Sequence, residues 1–223
     1  MKRLIDLSQE IRHGLVTYPG IPEPKISDAL SREASRERYA PGTEFLIGRI
    51  EMAGNTGTYV DTPFHRYPDG YDLADLELDR VAGVPLVLVD ATGRTEIGPD
   101  VLDGLDVADH AVVFRTDWSD HFGTPAYASG HPHLEPATAS VLVARRAAIV
   151  GIDSLNIDGT ATGERAAHSG LLAAGIPIVE HLTNLDALSE ALNQPGASAT
   201  FYAVPPKIRG FGTMSVRAFA VVE

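Results

Sequence analysis

Four short apolar runs constrain this chain more than any other feature. They are residues 84–89 (VPLVLV), 111–115 (AVVFR), 148–152 (AIVGI) and 176–180 (IPIVE). A continuous run of this length, without polar alternation, reads as a strand buried on both faces. Helical patterns fall between and after these runs. Residues 135–146 bring Ala137, Ser140, Val141 and Ala144 to helical spacing, with Pro136 in the first turn. Residues 164–174 read as a second helix closed by Gly175, and residues 185–192 as a third. Residues 99–105 suit a short helix. The first part is richer in strands, at residues 4–7 and 45–52, and strands at 201–204 and 216–222 close the chain. On the second of these Phe45, Ile47 and Arg49 alternate with Leu46, Gly48 and Ile50. The 21 glycines and 15 prolines punctuate many short segments, as in the loop YPGIPEP at 18–24. The expected fold is α/β: a single domain over residues 1–223, with a mixed β-sheet flanked by helices. There is no internal repeat and no low-complexity linker.

Cysteine is absent. That removes disulfides, thiol nucleophiles, Cys-ligated zinc and iron–sulfur clusters. It is compatible with a cytoplasmic location. The formal net charge of −12 argues against nucleic-acid binding, which needs clustered Lys and Arg. The densest basic stretch, residues 32–38, is interrupted by Glu33 and Glu37 and reads as a solvated face. No run approaches a membrane span, and the N-terminus makes a poor signal peptide.

Two segments carry reactive side chains. The first runs Asn55-Thr56-Gly57-Thr58-Tyr59-Val60-Asp61-Thr62-Pro63-Phe64-His65. Pro63 between Asp61 and His65 argues against a helix, so the segment reads as strand then loop. Asp61 at a strand end and His65 just beyond it either converge on a pocket or, for Asp61, cap a turn. The second runs from Ala167-His168 to Glu180-His181. Glu180 ends an apolar strand, and a carboxylate there needs a partner: a metal, a cation, solvent or a cap on Thr183.

Together these residues resemble the cyclase-type metal-dependent hydrolases, whose best-known activity is bacterial kynurenine formamidase. The family signature is His-x-Gly-Thr-His-x-Asp-x-Pro-x-His, and Gly57, Thr58, Asp61, Pro63 and His65 fall on it. The likeness runs along nearly the whole chain. It includes Asp6-Leu7-Ser8, Tyr18-Pro19-Gly20, His131-Pro132, Gly151-Ile152-Asp153, the His168 block, Glu180-x-Leu182-Thr183-Asn184-Leu185, Lys207-Ile208 and Val216-Arg217-Ala218. The resemblance implies Asp61, His168 and Glu180 as metal ligands and His65 as the acid–base residue. It also implies a homodimer or larger homo-oligomer, a small-molecule substrate, and zinc or manganese as the ion.

Two signature histidines are replaced, by Asn55 and Tyr59. An amide oxygen is a weak ligand, and a phenol binds well only after losing a proton of pKa ~10. One divalent metal is therefore expected, the second site being degraded or facing substrate. The implied chemistry is attack of water, activated by the ion, on an amide, formamide or lactam carbonyl, with His65 relaying the proton. Tyr18, Phe64 and Trp118 are candidates to line an aromatic substrate pocket. Three functions are compatible with these residues. They are an arylformamidase-like amide hydrolase, a family member with altered metal chemistry acting on another small acid or cyclic amide, and a non-catalytic small-molecule binder. No Gly-x-Ser-x-Gly elbow or His-Glu-x-x-His motif is present. Gly210-Phe211-Gly212 opens no Rossmann unit, and His131 and His133 read as flanking a turn at Pro132.

Overall fold

A computed structural model describes residues 2–223. In chain order the strands are β1 Arg3–Asp6, β2 Lys25–Leu30, β3 Ile47–Glu51, β4 Tyr59–Asp61, β5 Ala82–Asp90, β6 Glu96–Ile97 and β7 Ala111–Arg115. They continue with β8 His133–Leu134, β9 Ile149–Ile152, β10 Ile178–Glu180, β11 Ala199–Tyr202, β12 Thr213–Ser215 and β13 Phe219–Val222. The helices are α1 Arg32–Ser35, α2 Pro136–Ala144, α3 Ala166–Ala173 and α4 Leu185–Leu192.

Nine strands form one mixed sheet, in the order β1-β13-β11-β5-β7-β9-β10-β4-β12. Its centre, β5-β7-β9-β10, is parallel, and these are the four apolar runs of the sequence. Antiparallel strands extend it on both sides. Burial on both faces removes the alternation: every residue of β9, and all but the last of β7, is buried. One core layer packs α2 and α3 against Phe114, Val150, Ile152 and Ile178. The other packs α4 against Val60, Val113, Val179 and Phe201.

The expected helices at 135–146, 164–174 and 185–192 form, slightly shortened at 136–144 and 166–173 and unchanged at the third. Pro136 takes the first turn, and Gly175 adopts φ +74° just past α3, the conformation that favours glycine. The segment at 99–105 makes only a short 3-10 turn, Pro99–Leu102. The strand expected to end at Asp61 forms as β4. Other strands escape the sequence pattern: β12 has three residues and β6 and β8 two each, too short for alternation to be legible, and β2 carries no apolar run. β2 and β3 pair apart from the main sheet, and no residue of β3 is buried on either face.

Candidate active site

The sheet register assembles the site. β4 runs antiparallel to β10, pairing Tyr59 with Glu180 and Asp61 with Ile178. On its other side β12 pairs Thr213 with Asp61 and Ser215 with Tyr59. Directly paired residues project to the same face. Tyr59, Asp61, Glu180 and Thr213 therefore share one face, while Val60 and Val179 point into the opposite core layer. His168, on α3, packs over the same face as these acids.

α3 begins without a side-chain cap of its own. Asp158 supplies one from the preceding loop. Its Oδ1 accepts the Ala167 N–H at 2.6 Å, and its Oδ2 accepts the His168 N–H at 3.0 Å. The same Oδ2 accepts from His168 Nδ1 at 2.7 Å. With Nδ1 protonated toward Asp158, the lone pair of Nε2 faces the acids, the arrangement typical of a metal-binding histidine. Nε2 lies 3.6 Å from Asp61 Oδ2 and 3.7 Å from Glu180 Oε1. Those separations exceed hydrogen bonds and leave room for an ion among the three groups.

A cation fits here. Asp61 and Glu180 are fully buried. Asp61 Oδ2 has no hydrogen-bond partner, although a buried carboxylate oxygen without one is costly. One ligand atom from each of Asp61, His168 and Glu180 lies within 4.8 Å of the others. One imidazole and two carboxylates suit zinc, manganese or iron.

The electrostatics agree. Burial pushes the Glu180 carboxyl up to about 7, with Asp61 adding to the effect and His168 opposing it. Burial disfavours a charged His168, but the Glu180, Asp158 and Asp61 carboxylates outweigh it and raise the imidazole well above its ordinary range. A site of this composition needs positive charge, which protons or a bound cation supply.

Tyr59 sits where the family signature has a histidine. Its phenol donates to Glu180 Oε2, and burial first, then Glu180 and Asp61, push its pKa well above 10. Without an ion the phenol stays protonated and is a hydrogen-bond donor to Glu180. The Ile157 N–H holds the other Glu180 oxygen at 2.5 Å. Asn55 lies against the Tyr59 phenol and lines a neighbouring cleft with Phe64, His65 and Thr213.

His65 follows β4 on a 3-10 turn begun by Pro63. Thr213 links it to Asp61: the Thr213 hydroxyl donates to Asp61 Oδ1 and lies 2.7 Å from His65 Nδ1. A hydroxyl has one proton, so Thr213 accepts from His65 Nδ1–H. This network assigns the imidazole a free Nε2 lone pair. Gly212 permits the close approach, since a Cβ there would lie 2.3 Å from the His65 nitrogen.

His65 and His168 line a cavity of about 540 Å³. Tyr18, Phe64 and Trp118 are absent from its wall. Trp118 donates its indole N–H to the Tyr127 carbonyl at 3.1 Å and packs edge-on against His121. Phe64 faces the Asn55 cleft, and Tyr18 lies in the turn whose carbonyl accepts from the Ile21 N–H. His131 is buried, 3.1 Å from the Thr160 hydroxyl, and His133 opens β8; neither joins the acids.

The family described as "Putative cyclase" matches residues 5–159. Kynurenine formamidase of Erythrobacter litoralis is 32% identical over 182 residues, 81% of this chain and 79% of that protein. Kynurenine formamidase of Bacillus cereus is 29% identical over 179 residues, 80% and 81% of the two chains. Among solved structures, isatin hydrolase A from Ralstonia solanacearum superposes with TM-score 0.78 at 22% identity, covering 100% of this chain and 92% of that one. A potential metal-dependent hydrolase with cyclase activity superposes at 0.77 and 24% identity, covering 99% and 98%. The chain belongs to the putative cyclase family. It is a hydrolase with the mixed α/β fold expected from its sequence, and its buried Asp-His-Glu group has the composition and spacing to hold a metal ion.

Proposed function

We propose that this protein hydrolyses the C–N bond of a small amide, formamide or lactam at one divalent ion, zinc or manganese, held by Asp61, His168 and Glu180. The observation that carries this is the unpartnered, fully buried Asp61 Oδ2, 3.6 Å from His168 Nε2. A divalent ion there supplies Lewis acidity, which polarises a carbonyl and lowers the pKa of water from ~15.7 toward ~7.

The chain's own groups move the proton. His65 Nε2 accepts it from the attacking water, while Thr213 and Asp61 hold Nδ1–H and the ring orientation. His65 then returns the proton to the departing nitrogen as the C–N bond breaks. The carbonyl carbon gains oxygen and leaves as a carboxylic acid, formate for a formamide, and the nitrogen leaves as an amine. The formamidases of similar sequence make N-formylkynurenine, a tryptophan breakdown product, the first substrate to assay.

Tyr59 supports a single ion per chain. The protonated phenol occupies one Glu180 oxygen, and Asn55 offers only an amide. The cysteine-free composition suits a cytoplasmic location, and among the described residues no helix is long and apolar enough to cross a membrane. Self-association through β2 and β3 is part of the same reading. Ile26 pairs with Ile50 and Leu30 with Ile47, yet Ile47 and Ile50 are each 52% exposed. A bare two-stranded ribbon is marginal in water, and a second copy is the occupant that would cover it.

The test is metal content and turnover of protein purified without chelators. One ion per chain, with turnover lost in Asp61→Ala, is the expected result. Two tightly held ions per chain would overturn the single-ion assignment. Absence of turnover on a panel of formamides and lactams would overturn the hydrolase mechanism proposed here.

A further inference from the structure

The cavity in front of His65 and His168 has a second, cationic wall. Arg66 follows His65 directly, Arg165 immediately precedes α3, and both line the cavity. Several arginines elsewhere in this acidic chain are spent on carboxylates, among them Arg94 on Asp100, Arg115 on Asp117, Arg209 on Asp75 and Arg217 on Asp6. Among the described residues, neither Arg66 nor Arg165 has a carboxylate partner.

Arg165 is nevertheless held in place. Its Nη1 donates to the carbonyls of Gly159 at 3.3 Å, Thr162 at 2.8 Å and Glu164 at 2.6 Å. These neutral acceptors anchor the guanidinium without neutralising it, and they leave Nη2 and Nε unspent. Arg66 lies over the Tyr67 ring, 5.3 Å from its centroid, and its donors are unspent as well. A guanidinium anchored in advance loses little entropy when it takes up a planar anion.

We infer that Arg66 and Arg165 bind a carboxylate carried by the substrate, so that the enzyme selects acidic amides over neutral ones. This rests on the hydrolase reading above and adds the substrate's charge to it. The cavity of about 540 Å³ accommodates a single-ring compound with an acyl-amino group at one end and a carboxylate at the other. The anion engages the arginines while the acyl group faces His65 and His168. A monoanion fits better than a phosphate dianion, because Glu164 lines the same wall and repels a second negative charge.

The test has a binding arm and a kinetic arm, both on the metal-loaded protein. In the binding arm, calorimetry compares benzoate, benzamide and phenyl phosphate. Benzoate is expected to bind best, and Arg66→Gln to weaken it by about tenfold, the usual scale of one charge-assisted hydrogen bond. In the kinetic arm, kcat/KM is compared for 3-(formylamino)benzoate and its methyl ester. The acid is expected to be preferred, with the acid-to-ester ratio falling about tenfold in Arg66→Gln and further in Arg66→Glu. Arg165→Gln is read the same way once circular dichroism shows it folded.

Equal affinity for benzoate and benzamide in the unsubstituted protein overturns the inference, as does an acid-to-ester ratio unmoved by the Arg66 substitutions. Tighter binding of phenyl phosphate overturns the carboxylate assignment. If neither formamide is turned over, the hydrolase mechanism fails and the binding arm alone still judges the arginines.

Discussion

Of the three buried carboxylates around His168, Asp158 and Asp61 reach it at different ring nitrogens and do different work. Asp158 is saturated: it caps α3 through two backbone amides and holds His168 Nδ1. Asp61 faces Nε2 and is half-satisfied, with Thr213 on one oxygen and nothing on the other. The first carboxylate is bound into the fold. The second leaves one buried oxygen without a hydrogen bond, 3.6 Å from His168 Nε2. A saturated acid holds the histidine in place, and a buried oxygen without a hydrogen bond is costly unless a proton or a cation meets it.

That contrast can be broken by substitution. Asp61→Ala is expected to cost several kcal/mol of transition-state stabilisation, at least about 10³ in kcat. The metal-free protein should melt close to the unsubstituted one, because the one hydrogen bond that Asp61 gives the fold is that from Thr213. A large fall in melting temperature would make Asp61 as structural as Asp158. His65→Gln should come next, lowering kcat by about 10²–10³ while leaving metal content at the unsubstituted level. Loss of the ion in that variant would move His65 into the ligand set.

Asp158→Asn should combine the two kinds of effect. Metal affinity is expected to fall about 10–100-fold as His168 loses its orienting acceptor. Stability is expected to fall by about 1 kcal/mol as the α3 cap weakens. Metal titration and urea melts read these separately, and an effect on only one would sharpen the division.

A buried carboxylate away from His168 supplies the smallest test. Asp153 accepts from the Thr116 N–H and hydroxyl and from the Asp117 N–H, yet burial outweighs these bonds and pushes it up to about 6 from 3.8. A raised folded-state pKa means that the folded chain holds the proton more tightly than the unfolded one. Its stabilisation is full below 3.8 and is lost as the pH rises through about 6. The stability of the unsubstituted protein relative to Asp153→Asn should therefore drop by about 2 kcal/mol between about pH 4 and pH 7. A pH-independent difference would show that the three hydrogen bonds keep Asp153 ionised.

Much of the scaffold was legible before folding. The four apolar runs became the parallel centre of the sheet because burial on both faces demands continuous apolar sequence. The three longer helices followed from helical spacing and from end signals such as Pro136 and Gly175. The strand ending at Asp61 was legible and is β4; β12, which brings Thr213 to the site, was not. Asp61, His65, His168 and Glu180 were picked out by motif. Asp158, Thr213, Arg66 and Arg165 were not, since nothing local distinguishes them from other loop or strand-end residues.

The sequence by itself determined the α/β alternation, the family, the exclusion of cysteine chemistry and the loss of two signature histidines. Residue type and short-range periodicity are enough for the alternation and the cysteine exclusion, and resemblance to the family's ordered motifs for the other two. Only the tertiary structure decided that Tyr59 donates to Glu180, that Thr213 orients His65, and that Asp61 keeps one oxygen unpaired in the core. Those relations join residues as far apart as 152 positions, Thr213 to Asp61, and depend on strand register. A shift of one residue would turn each of these side chains to the opposite face of the sheet.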